Sequence, residues 1–277
     1  MDKMKKNRNI ILILLFVGIF IFGNLLYLWI LPAFHEKESK ELQFLNFSEN
    51  FDNSLRGVVG IIPESEVDGL SSYNGIGSGV IFDKKDNVYY VVTAKHVIGV
   101  DNSQFKIFTK DTEFKGQTIN ASSDVHFEIP DKDYYESLLD AKVEYVSDIN
   151  DLAILSFQYN GDLTVLEFES EKTKKNDRIM VIGHPEGNRY VVTYGYIKSE
   201  TETIQLKKET GKIEKEKIVK HNAYMKKGNS GGVALSKNGK VVGINIGGFF
   251  NILGYYDMGY MIPYDIVEDN INNWRRK

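Results

Sequence analysis

One serine stands among three glycines in the stretch Asn222–Gly232, NAYMKKGNSGG, where Gly228, Gly231 and Gly232 surround Ser230. Glycine lets a backbone turn sharply and lets another group approach closely. A serine on such a turn, with the Gly228 N–H and its own N–H aimed at one point, has what a nucleophile and an oxyanion hole require. The same composition also suits an ordinary loop, because Gly, Asn and Ser are common turn residues. Deciding between the two needs partners from elsewhere in the chain.

Two upstream residues qualify. His96 ends the run VYYVVTAKH, where a strand passing into small residues projects an imidazole toward a cleft. Histidine is the natural general base because its pKa lies near physiological pH. Taken alone, it fits a satisfied core histidine better. Asp151 opens DLAILSF, a carboxylate directly ahead of an apolar strand. A charge there is seldom buried without a partner. A histidine N–H is a suitable one, since the carboxylate would fix its tautomer and stabilise the imidazolium. The other reading of Asp151 is a strand-entry turn residue. In the catalytic arrangement Ser230 attacks a carbonyl and His96 relays its proton, oriented by Asp151. The N–H groups of Gly228 and Ser230 hold the tetrahedral oxyanion. The chain order His, Asp, Ser is the chymotrypsin order and not that of subtilisin or the α/β-hydrolases.

Composition narrows the classes. The 277 residues can form one large or two small domains, and 42% hydrophobic with 26% charged residues is a globular balance. With no cysteine, disulfides, thiolate metal sites and a catalytic thiol are excluded. No metal-ligand cluster and no phosphate loop with the required lysine occurs, so no cofactor is expected. The formal charge is −4, and residues 1–8 hold +3 of it, which leaves −7 on the rest. An acidic body without a basic stripe argues against a nucleic-acid partner.

The elements that must position these residues begin after an apolar run, Ile10–Leu31. That is roughly the twenty residues a helix needs to cross a bilayer. Its basic flank precedes it and Tyr27 and Trp29 lie near its far end, which keeps residues 1–8 cytoplasmic and exports the remainder. A cleaved signal peptide is the competing reading, but it has a shorter apolar core and a small-x-small site. The expectation is a single-pass cell-membrane protein with its body outside: tail 1–8, anchor 9–33, linker 34–54. The mixed, charged linker suits a short helix or tether.

From Leu55 onward short runs rich in Val, Ile, Phe and Tyr follow one another between turn residues. They are Val58–Ile62, Gly79–Phe82, Tyr89–Thr93, Phe105–Phe108, Leu152–Phe157 and Arg178–Ile182, then Tyr190–Ile197, Ile213–Val219, Gly232–Leu235, Val241–Ile246 and Tyr260–Ile262. This spacing predicts an all-β barrel or sandwich. Only Tyr264–Trp274 has helical spacing. Two segments look inserted: polar Ser122–Ala141, in part helical, and Gln205–Lys220, a charged hairpin turning near Thr210 and Gly211. A charge run of the latter kind is usually a solvated face.

With these blocks in view, the chain resembles the trypsin-like serine proteases, the HtrA type in particular. The resemblance rests on GSGVIFD (77–83), TAKHVI (93–98), DINDLAIL (148–155), VIGHPEG (181–187), VTYGYI (192–197), GNSGG (228–232), VVGIN (241–245) and GYMIP (259–263), in that order. It implies a serine endopeptidase acting on polypeptides, with His96, Asp151 and Ser230 as triad and Gly228 and Ser230 as oxyanion hole. It also implies two six-stranded β-barrels of the chymotrypsin type, 55–161 and 162–277, with the triad between them and a C-terminal helix. Tyr224, Asn245, Ile246 and Gly247 take substrate-binding positions. His184 falls on a turn of the second barrel as a structural residue, whereas His221 either lines the cleft or is structural.

Some positions depart from the family. HtrA-type proteases usually carry a PDZ domain after the protease, for which the sequence to Lys277 leaves no room. Asn229 stands where many digestive relatives have an aspartate that pairs with a freshly cut amino terminus, so no propeptide cleavage is expected. VVGINIGG is similar to a strand of the glutamyl endopeptidases, but Asn245 replaces their carboxylate-reading histidine. Tyr224 takes the place of the aspartate that binds Lys or Arg, and Lys226 and Lys227 would oppose a cation if they lean inward. An uncharged, aliphatic or small residue is expected on the acyl side of the cut bond. The alternative to an active protease is a weak or inactive protein of this fold that binds peptides or partners.

Overall fold

The computed structural model describes residues 51–277 except 68–69, 74, 100–103, 123–124, 208–212 and 251–255. The expected anchor, tail and most of the linker, and the turn at Thr210 and Gly211, lie outside these residues. No helix among the described residues is long and apolar enough to cross a membrane.

Every expected strand forms, in two sheets. The first sheet uses β1 (Val58–Val67), β2 (Leu70–Tyr73), β3 (Gly77–Lys85), β4 (Val88–Thr93) and β5 (Gln104–Phe108), then β8 (Leu139–Val146) and β9 (Ala153–Gln158). Its order is β2-β1-β3-β4-β9-β8-β5, and β1 also pairs with β5, so six strands close into a barrel with β2 appended. The pairing of Gly60 with Phe108 and Ile61 with Ile107 makes that closure. Strand β9, AILSFQ, is buried at every position but its last, as expected of a strand covered on both faces. Between β5 and β8 lie a hairpin, β6 (Gly116–Ser122) with β7 (Val125–Pro130), and a short helix.

That helix, Lys132–Glu136, is capped by the Asp131 side chain, which accepts the Tyr134 N–H at 2.8 Å. The inserted segment is therefore more ordered than its polarity suggests. Tyr134 and Leu138 are its anchors, buried with Ile62 and Phe108, and β8 begins at Leu139.

The second sheet corrects the expectation of two six-stranded barrels. It comprises β10 (Arg178–Gly183), β11 (Val191–Tyr196), β12 (Glu202–Lys207) and β13 (Ile213–His221), then β14 (Val233–Ser236), β15 (Val241–Phe250) and β16 (Tyr256–Pro263). The order β11-β10-β14-β15-β16-β13-β12 is an open seven-stranded sheet. Closure would require β11 to pair along β13. Residues Ile213–Ile218 of β13 pair with β12 instead, so among the described residues the end of β11 reaches β13 at a single bridge, Ile197 to His221.

The helix Tyr264–Arg275 follows β16, one residue longer than expected. Its Trp274 ring stands edge-on to Phe82 at 5.9 Å, and Arg275 pairs with Asp83 at 2.6 Å, so the helix reaches back to β3 of the first sheet. The connection between the sheets is also stitched down. The Tyr89 hydroxyl donates to the Gly161 carbonyl at 2.9 Å and accepts the Leu163 N–H at 3.1 Å.

Candidate active site

His96 follows β4 in a single helical turn, Lys95–Ile98, with its side chain 38% exposed. Asp151 lies in the turn before β9 and is 3% exposed. Its carboxylate grips the histidine twice: Oδ1 accepts the His96 backbone N–H at 3.0 Å, and Oδ2 faces Nδ1 at 2.8 Å. Nδ1 is thereby the protonated nitrogen, and Nε2 is left as the basic one. The Asp151 carbonyl accepts the Lys95 N–H at 3.0 Å, so the two turns are locked by backbone as well as side chain.

Ser230 sits on the turn between β13 and β14, half-buried. Its carbonyl accepts the Ser78 N–H of β3 at 2.8 Å. The next residue, Gly231, donates to the Asn245 carbonyl at 2.7 Å, and Asn245 donates to the Gly232 carbonyl at 2.9 Å. Glycine is required at 231. Its φ is +79°, and a Cβ there would lie 2.0 Å from the Ser78 oxygen and 2.2 Å from Thr93 Oγ1. The serine turn is thus pressed against the end of β4, three residues before His96. Among the described residues, no hydrogen bond joins Ser230 Oγ to His96.

Gly228 is held from behind. The Lys227 carbonyl accepts the Glu186 N–H at 2.7 Å. In a trans peptide the N–H points opposite to its carbonyl, so the Gly228 N–H faces away from Glu186. Among the described residues, neither that N–H nor the Ser230 N–H donates to a backbone carbonyl. The Gly228 carbonyl takes the Ser78 hydroxyl proton at 2.8 Å, and Gly228 adopts φ +105°.

His184 completes this support. Its backbone N–H and its Nδ1 both lie 3.1 Å from Ser78 Oγ. Because the hydroxyl proton goes to Gly228, Nδ1 acts as the donor. Burial, aided by the Arg189 charge, holds the His184 pKa down at about 3, so the ring is neutral near pH 7. The turn position expected for His184 is found, and its link to Gly228 through Ser78 is a partnership that sequence spacing could not show.

The other expected site residues differ in exposure. Tyr224 is 39% exposed and packs edge-on against Tyr256 at 5.0 Å. The Asn245 side chain is wholly buried, its Oδ1 3.1 Å from His221 Nε2. His221 therefore lines no open surface, and burial lowers its pKa to about 4 against the opposing hydrogen bond to Asn245. Ile246 is 7% exposed, and Gly247 has open space where a Cβ would sit. Lys226 does not lean inward but pairs with Glu186 at 2.7 Å. Among the described residues, no group of His, Asp and Glu could hold a metal ion.

The profile of the Trypsin-like peptidase domain matches residues 77–244, the span from β3 through β15 that carries all three residues. The chain belongs to that family. Relatives named Serine protease Do-like agree. The HtrB of Bacillus subtilis (strain 168) is 27% identical over 69% of this chain and 36% of its own length. The HtrA of Lactobacillus helveticus is 28% identical over 72% of this chain and 41% of its own length. The chain thus spans well under half of these relatives. Among solved structures, the active form of the Rv3671c protease from M. tuberculosis superposes with a TM-score of 0.61 at 19% identity, over 82% of this chain and 85% of that one. The trypsin-like family and this likeness agree with an all-β, chymotrypsin-like fold with one closed barrel and a C-terminal helix.

Proposed function

We propose that the protein is a serine endopeptidase that cuts polypeptides through an acyl-enzyme on Ser230. His96 takes the serine proton and returns it to the leaving amine, Asp151 holds the imidazole, and the Gly228 and Ser230 N–H groups receive the oxyanion. The observation that carries this reading is the double grip of Asp151 on His96. A carboxylate buried to this degree, with both oxygens on one histidine, leaves Nε2 basic and fixed in orientation. Replacing Ser230 by Ala, His96 by Ala or Asp151 by Asn should each lower peptide hydrolysis by several orders of magnitude. Combining them should cost little more than the worst single change, because triad members act as a unit. Parental activity in the Ser230→Ala chain would put the nucleophile elsewhere.

The missing Ser230–His96 hydrogen bond favours a second reading, a weak or inactive protein of this fold that binds peptides. Catalytic hydrogen bonds are often long in unliganded sites and tighten with substrate, so the same hydrolysis assay separates the two.

We further propose that residues 9–33 anchor the protein in the cell membrane with the body outside, and that the acyl-side residue is uncharged. Tyr224 supports the latter, since it supplies no carboxylate for Lys or Arg. The Lys226 charge no longer contributes, because Glu186 engages it. A peptide-library profile dominated by Lys or Arg would refute the specificity.

A further inference from the structure

The charged hairpin of β12 and β13 has an inward-facing acid. Along β13, Ile213, Lys215 and Lys217 are exposed, while Glu216 and Ile218 are buried. Glu216 is 2% exposed, in the phase of the strand where an apolar residue belongs. Its two carboxylate oxygens are both used at the active-site turn. Oε1 accepts the Asn150 side-chain amide at 2.9 Å, and Oε2 accepts the Asp151 backbone N–H at 2.9 Å. Asn150 is gripped from its other end, where its Oδ1 accepts the Asn270 amide of the C-terminal helix at 2.9 Å. That same Asn270 nitrogen donates to the Ile266 carbonyl at 2.8 Å.

We infer that Glu216 is a positioning residue for the His96–Asp151 pair, reaching from the second sheet to fix the turn that aims the catalytic carboxylate. The inference rests on the serine-protease reading above. A continuous path of hydrogen bonds supports it: Asn270 to Asn150, Asn150 to Glu216, Glu216 to the Asp151 N–H, and the Asp151 carboxylate to His96. Burying a carboxylate has a large desolvation cost, and an apolar residue would fill the same strand position without it. The two donors of the Asn150–Asp151 turn explain its presence. Without Glu216 the buried Asp151 N–H and the half-buried Asn150 amide would both lose this acceptor.

The test uses the full-length chain and its Glu216→Gln and Glu216→Asp variants. Two quantities are followed: the rate of inactivation by a fluorophosphonate, and the separate kcat and KM for a peptide. Glutamine cannot accept from both donors and has no charge. Its rate should fall by roughly tenfold to a hundredfold, the scale of a misplaced catalytic group. KM should change little while kcat carries the loss, because the substrate contacts are untouched. Aspartate keeps both acceptor oxygens but withdraws them by one methylene, so its rate should lie between the two. A folded Glu216→Gln chain with the parental rate overturns the inference. Should that variant fail to fold, a Glu216→Asp chain at the parental rate overturns it instead. A parent that is not labelled, or labelling that survives Ser230→Ala, overturns the protease reading itself and this inference with it.

Discussion

At the scale of single residues, His184 and His221 are kept neutral near pH 7 while His96 stays accessible. His184 and His221 are wholly buried, and burial lowers their pKa values to about 3 and about 4. An unfolded chain titrates these rings near 6.5, so below that pH the unfolded state binds protons that the folded state refuses. Their contribution to stability is complete above about pH 6.5 and is lost progressively as pH falls toward those lowered values. Urea midpoints should therefore be lower at pH 5 than at pH 7, and replacing His221 by an uncharged residue should flatten that slope in any variant that folds. Equal midpoints at the two pH values in the parent would mean that both rings are protonated inside the fold. His96 was legible as a base candidate from its context at the end of a strand. The partnership of His184 with Ser78, 106 residues apart, was not, because nothing local in VIGHPEG specifies a contact in another sheet.

At the scale of elements, the turn carrying Ser230 depends on how closely it can approach β3 and β4. A methyl group at Gly231 would collide with the Ser78 carbonyl and Thr93 Oγ1, both held in place by a mutual hydrogen bond of 2.7 Å. Gly187 has a similarly positive φ of +83° but open space around it. Gly231→Ala should lower the unfolding free energy by several kcal/mol, the range of overpacked sites. Gly187→Ala should lower it by only about 1 kcal/mol, the strain of a left-handed residue. Comparable losses in urea unfolding would refute the steric account. The glycines announced a special turn in the sequence, but the neighbour that makes Gly231 obligatory lies in β3. Glu216 illustrates the opposite failure. Lysines at 215 and 217 gave the hairpin the look of a solvated face, although strict alternation already put Glu216 in phase with Ile218. Strand β8 went unread because Asp140, Lys142 and Glu144 break up its apolar residues, none of which is fully buried.

At the scale of the whole molecule, two sheets are joined by a C-terminal helix that leaves the second and packs on the first. Short β runs announced the all-β class, yet closure was not legible, since it depends on which edges meet. The first sheet closes because β1 is long enough to serve β3 and β5 together. The second stays open because β13 spends most of its length on β12. The proposed anchor also belongs to this scale. Full-length protein should remain with membranes through a high-salt wash, with its body open to external protease. A mature chain recovered from the medium and beginning near Phe34 would refute it.

The central claim, that the His96–Asp151 pair activates Ser230, is tested most directly by treating the full-length chain with a fluorophosphonate and mapping the adduct by mass spectrometry. The account predicts one stable adduct on Ser230, formed far more slowly in the His96→Ala and Asp151→Asn chains. No adduct on Ser230, or equal rates in all three chains, would contradict it.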